Sequence, residues 1–123
     1  MSADDVAVAR GFLTALAAAA KSGDLEDVYP LLAPDVEWTN ALRDLHGVGE
    51  VRKELAWYSP RTGLELDIEE KELLDLGSGR ITTEFREVYR MKQTGELAYA
   101  RERRIELTIR DGKVSSYEMR FAG

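Results

Sequence analysis

Two neighbouring stretches of this chain alternate like half-buried strands, and their apolar faces carry charge. In 80–92, Ile81, Thr83, Phe85, Glu87, Tyr89 and Met91 share one face. In 97–110, Tyr99, Arg101, Arg103, Ile105, Leu107 and Ile109 share one face. The apolar faces must point inward, so Glu87, Arg101 and Arg103 point inward too. Buried charge is costly unless it is paired or sits in a wet cavity. The pattern therefore predicts a hairpin whose inner face lines a small-molecule pocket.

Charge also tests the register of that hairpin. With Thr94 at the centre of the turn, Glu87 faces Arg101, Glu84 faces Arg104 and Arg86 faces Glu102. Opposite-charge cross-strand pairs each contribute roughly 0.2–1 kcal/mol. A slip of one residue loses all three and turns the apolar set outward. The same register sets Arg103 against Phe85, and against Phe121 if Gly112 centres the following turn. Arg103 thus has no inward partner in this reading, which points to an anionic or carbonyl-bearing ligand. The competing reading packs its stem on apolar surface with the head in solvent. For Glu87 and Arg101 the competing reading is an ion pair that satisfies itself at a pocket rim.

The rest of the chain supplies the scaffold. Val6, Ala9, Leu13, Leu16 and Ala20, with Phe12 beside them, predict a helix over 2–22, ended by Gly23. Asp24 caps a predicted second, short helix carrying Leu25, Val28, Tyr29, Leu31 and Leu32, which Pro34 stops. Asp35 to Asn40 alternates as a strand, a polar loop runs to Gly47, and Val48 to Tyr58 reads as a third helix closed by Ser59-Pro60. Leu64, Leu66 and Ile68 begin a strand that loses phase between Glu70 and Leu76, where a bulge fits. Turns at Gly77-Ser78-Gly79, Gln93-Thr94-Gly95 and Asp111-Gly112 separate the last strands, and Val114 to Phe121 places Tyr117, Met119 and Phe121 on one face. The expectation is one α+β domain over residues 1–123, with three helices packed on a curved, mostly antiparallel sheet.

Composition removes several function classes. A net charge of −6 argues against nucleic acid and against an anionic membrane surface as partner. There is no cysteine, so no thiolate metal site, and the single histidine, His46, excludes a histidine-rich one. The longest apolar run is far too short to span a bilayer, and the Met-Ser-Ala-Asp-Asp start is acidic where a signal peptide is basic. A cytoplasmic protein without cofactor or metal is expected.

The order of elements resembles the NTF2-like superfamily, and within it the SnoaL-like branch. The resemblance rests on Gly23-Asp24-Leu25, on Leu31-Leu32-Ala33-Pro34-Asp35-Val36, and on Asp111-Gly112-Lys113-Val114. Trp38-Thr39-Asn40 followed by His46-Gly47-Val48-Gly49-Glu50-Val51-Arg52 looks like that branch's W-x-D-P loop and helix start. It implies a cone whose curved sheet wraps a long helix, with a pocket at the open end, commonly in a homodimer. This fold hosts many unrelated functions. Ketosteroid isomerases use a carboxylate base with a tyrosine and a protonated aspartate as oxyanion hole. Those positions fall on Asn40, on or near Leu16, and on Ile105, so that route is missing all three groups. For the epoxide hydrolase set, Trp38 and Asn40 keep the aromatic and the asparagine and Glu87 stands for one acid. The second acid falls on Met119 and the arginine on Phe85. A SnoaL-type cyclase needs one acid–base residue, for which Glu87 is the inward carboxylate.

Three functions follow as expectations. The first is a binding module for a small, largely apolar ligand, contacted by Trp38, Asn40, Phe85, Tyr89, Arg101, Arg103, Tyr117 and Met119. The second is an isomerase, cyclase or hydrolase in which Glu87 or His46 moves the proton. The third is a protein-interaction adaptor. Trp57 falls off its helix's stripe and covers the pocket mouth or a subunit interface. The charged outward sheet face, with Glu84, Arg86, Glu102, Arg104, Glu106, Glu118 and Arg120, makes a polar dimer interface or a solvated surface.

Overall fold

A computed structural model of the chain describes residues 2–22, 24–40, 43–55 and 64–121. The long helix α1 spans Ser2–Ser22, as the apolar spacing predicts. Asp4 and Asp5 in its first turn and Lys21 in its last complement the helix dipole. Ala9, Phe12, Leu13 and Ala19 are its buried residues.

The second predicted helix does not form. Residues 24–28 are turns, followed by one 3-10 turn, Tyr29–Leu31. Pro30 is the reason, because a proline within the segment has no N–H to continue a helical ladder and clashes with the preceding turn. Asp24 does cap, but it caps a turn: its Oδ1 accepts the Glu26 N–H at 3.0 Å. The described residues therefore hold two α-helices, not three.

Strand β1 runs Leu32–Thr39, three residues earlier than its alternation suggests. Pro34 lies in it without conflict, because pairing with β6 skips from Leu32 to Glu37 and asks no ladder bond of the intervening residues. A short strand β2, Asp44–His46, replaces the expected loop and pairs antiparallel with β1. Helix α2 spans Gly47–Leu55. Its predicted extension to Tyr58, the Ser59-Pro60 end and Trp57 lie outside the described residues, as does Gly23.

The remaining strands are β3 (Leu64–Gly77), β4 (Arg80–Met91), β5 (Leu97–Arg110) and β6 (Lys113–Phe121). The sheet order is β2-β1-β6-β5-β4-β3, antiparallel except between β1 and β6. This is a curved mixed sheet of six strands. The predicted hairpin register holds from Arg80 to Tyr89: Glu87 faces Arg101, Arg86 faces Glu102, Glu84 faces Arg104 and Phe85 faces Arg103; it shifts by one residue next to the turn, where Arg90 faces Leu97. Arg103 also faces Phe121. Strand β3 breaks register between Glu70 and Leu73 and again between Asp75 and Gly77, where the sequence lost phase. Thr83 fixes the first irregularity by donating its hydroxyl to the Glu72 carbonyl at 3.0 Å.

Helix α1 lies on the inward face, touching β3, β4, β5 and β6. The core between them contains Phe12, Val36, Trp38, Val51, Ile81, Phe85, Ile105, Leu107, Val114 and Tyr117.

Candidate functional site

The inward face of the β4–β5 hairpin passes from sealed to open along its length. At the closed end, Ile81, Thr83 and Phe85 on β4 and Ile105, Leu107 and Ile109 on β5 are buried. Glu87 and Arg103 come next, exposed by only 7% and 6%. Beyond them Tyr89 and Tyr99 are half-buried and Arg101 is exposed. Met91 and Leu97 end the strands at 44% and 54% exposure.

Arg103 is not the unpartnered cation that strand register alone suggested. Its Nε donates to Glu87 Oε1 at 2.6 Å. The pair is diagonal rather than straight across, a distance long side chains span easily. Burial decides the choice, since a guanidinium enclosed without a carboxylate costs far more than a hydrated one. Arg101, directly opposite Glu87, stays in solvent with its guanidinium 5.2 Å from the centre of the Tyr99 ring. Tyr99 in turn stacks on Tyr89 at 4.4 Å with 22° between the planes. Thus Glu87, Arg103, Phe85, Tyr89 and Arg101 are brought together on one face.

The other predicted residues sit elsewhere. Trp38 and Tyr117 stack at 3.8 Å and 13°, and Phe12 meets both edge-on at 6.2 and 6.0 Å. The Tyr117 hydroxyl lies 3.5 Å from Met119 Sδ. These are walls beneath α1. Asn40 Oδ1 accepts the Arg43 N–H at 2.9 Å, and the Asn40 N–H donates to the Arg43 carbonyl at 3.0 Å, so Asn40 holds the β1–β2 connection. His46 faces Glu37 across β1–β2 and pairs with its carboxylate through Nδ1. Glu37 alternates with buried Val36 and Trp38, so this exposed pair is on the outward face, away from Glu87.

Leu16 and Ile105, where the resemblance would put a tyrosine and an aspartate, meet at one small gap. It is also lined by Leu13, Ile68, Glu70, Thr83 and Phe85, with a volume of about 10 Å³. That is room for about one water. A larger open hollow of about 660 Å³ lies on the outward face, between Leu74 and Leu76 of β3 and a floor that includes Glu84, Arg104 and Glu106. Glu84 pairs with Arg104 at 2.6 Å and Arg86 with Glu102 at 3.8 Å, as the charge pattern predicts.

Tyr99 and Met91 complete the open end but were not singled out from sequence as ligand contacts. The period of two that exposed Arg101 and Arg103 also places Tyr99 on their face, but a bulge beyond Tyr99 sets Leu97 opposite Arg90, out of that face. Among the described residues, no cluster of three or more His, Asp or Glu is arranged to hold a metal ion, and no helix is long and apolar enough to cross a membrane.

No protein-family model and no curated protein matches the chain. Solved structures do match it. An NTF2-like protein from Anabaena variabilis superposes with a TM-score of 0.81 at 16% identity, covering 100% of this chain and 92% of its own. TerC co-crystallised with polyporic acid gives 0.69 at 21% identity, covering 97% and 92%. An LEH-like epoxide hydrolase from M. tuberculosis gives 0.70 at 13%, covering 98% and 84%. The chain has the NTF2-like fold. At these identities the likeness is one of fold, and the site must be argued from its own residues.

Proposed function

We propose that this is a SnoaL-like protein, a single domain over residues 1–123, that holds a small, largely apolar organic molecule at the open end of its inward sheet face. The observation that carries this is the surface left there: a stacked Tyr89–Tyr99 pair with exposed Met91 further along the same strand face. Apolar groups left exposed together, rimmed by a few polar ones, are a common mark of a binding surface. TerC, of the same fold, was co-crystallised with polyporic acid, which supports the reading.

Native mass spectrometry of the purified protein, repeated after denaturation, tests it together with a nuclear magnetic resonance titration against apolar probes. Shifts confined to residues 89–101 support the site. Saturable binding that maps wholly to the outward hollow overturns it.

The enzymatic reading is second. Glu87 is buried beneath the open end but engaged by Arg103, and His46 faces the other way. A general base must reach the proton it takes. Turnover by this site would therefore require substrate to displace the Arg103 contact, and an unchanged rate in Glu87→Gln would end that reading. A homodimer through the outward hollow is supported by exposed Leu74 and Leu76, at 46% and 50%. Light scattering of the purified chain tests it.

A further inference from the structure

The hairpin's two inward arginines divide their work, and this identifies the chemistry of the ligand. Arg103 is enclosed and neutralised by Glu87. Arg101 is exposed, and no carboxylate lies within ion-pair reach of it among the described residues. It is not loose, because it rests over Tyr99, whose other neighbour is Tyr89. A guanidinium lying on a ring keeps its in-plane N–H edge available, and that edge matches a carboxylate in two parallel hydrogen bonds. Met91, on the β4 face that carries Glu87 and Tyr89, provides exposed apolar surface at the same end. On that face Glu87 is already engaged by Arg103, which leaves the Arg101 guanidinium for a ligand.

Resting on the ligand-binding reading above, we propose that the site takes an apolar carboxylic acid as its anion. Arg101, presented on the Tyr99–Tyr89 stack, receives the carboxylate, and the tyrosine rings with Met91 receive the apolar body. Arg103 does not read the ligand's charge. A neutral apolar molecule would use half of the surface, and a small polar anion the other half. Together the two halves select an amphipathic acid.

The test titrates the full chain with 2-naphthoate, with its neutral amide 2-naphthamide, and with citrate. Amide resonances of residues 89–101 and the fitted Kd values are followed. The expected result is 2-naphthoate about tenfold tighter than 2-naphthamide, the scale of one charge-assisted contact, with citrate weaker than both. Arg101→Gln, a change at an exposed side chain, should raise the 2-naphthoate Kd to that of the amide. Lys53→Gln on α2 should leave the ratio unchanged. If 2-naphthamide binds as tightly as 2-naphthoate, or Arg101→Gln keeps the acid preference, the proposal falls while the ligand-binding reading stands. If citrate matches 2-naphthoate, the site is a simple anion site and the proposal falls. If none of the three perturbs residues 89–101, both readings fall together.

Discussion

Glu87 and Arg103 are joined diagonally across β4 and β5, Nε to Oε1 at 2.6 Å, while Arg101 directly opposite Glu87 stays in solvent. The geometry has an energetic consequence. Two charges taken out of water repay much of their desolvation through each other, so removing one strands the other. Glu87→Ala should destabilise the fold by about 3–5 kcal/mol. A double replacement, Glu87→Leu with Arg103→Met, should recover most of that loss, because an apolar pair of similar volume carries no desolvation cost. Urea unfolding of the singles and the double decides it. Additive losses would mean that the two residues are not energetically coupled.

Phe12, Trp38 and Tyr117 form a three-ring cluster where α1 crosses β1 and β6, and Phe12 is fully buried at its centre. Phe12→Ala leaves a cavity that two stacked rings cannot close, so a loss of about 3–5 kcal/mol is expected. Near-ultraviolet circular dichroism should weaken with it. A loss below about 1 kcal/mol would show that α1 can settle onto the rings.

The sheet was more legible in the sequence than the helices, and the reason is physical. Strand parity is a strict period of two, and a single β4–β5 register satisfies three opposite-charge pairings at once. Even the irregularity in β3 was visible as lost alternation after Ile68. The segment Leu25 to Leu32 has a helical stripe too, but Pro30 vetoes a helix at one position, and periodicity does not weigh a single residue. Strand β2 is only three residues long, too short to show a period. In the site, parity correctly put Glu87, Arg101 and Arg103 on one face. It could not say which arginine the carboxylate would choose, because the choice turns on burial along the strand, which depends on where α1 ends. His46 is a related case: a loop position in the sequence, it lies on β2 and faces outward to Glu37.

Gly79 marks a close backbone approach. Its φ is +79°, and an added Cβ would stand 2.4 Å from the Ile109 carbonyl oxygen. The Gly79 carbonyl also accepts the Ile109 N–H at 2.7 Å. Backbone cannot swing aside as a flexible side chain would. Gly79→Ala should therefore cost about 1–3 kcal/mol from the left-handed conformation alone, with the clash in addition. Gly77→Ala, where φ is +86° and nothing lies near the added carbon, isolates the conformational part. Equal losses in the two variants, read by thermal unfolding, would show that the Ile109 contact is not limiting.

Asp35 in the middle of β1 and Arg110 at the end of β5 meet at 2.9 Å, although 75 residues separate them. The Arg110 hydrogen bond first, then the aspartate's own backbone N–H and the Arg110 charge, hold the Asp35 carboxyl below its ordinary value. A lowered folded-state pKa favours the ionised, folded form. Its contribution is fully present above about pH 4, the ordinary aspartate value, and is lost as pH falls through the lower folded value. Carbon-detected titration should give Asp35 a midpoint below the ordinary aspartate value. Arg110→Gln should move the midpoint back up. Salt should shrink the difference, because the pair is exposed and screened. An Asp35 midpoint that ignores both Arg110→Gln and added salt would mean that the backbone N–H alone sets it, and that the β1–β5 ion pair does not persist in solution.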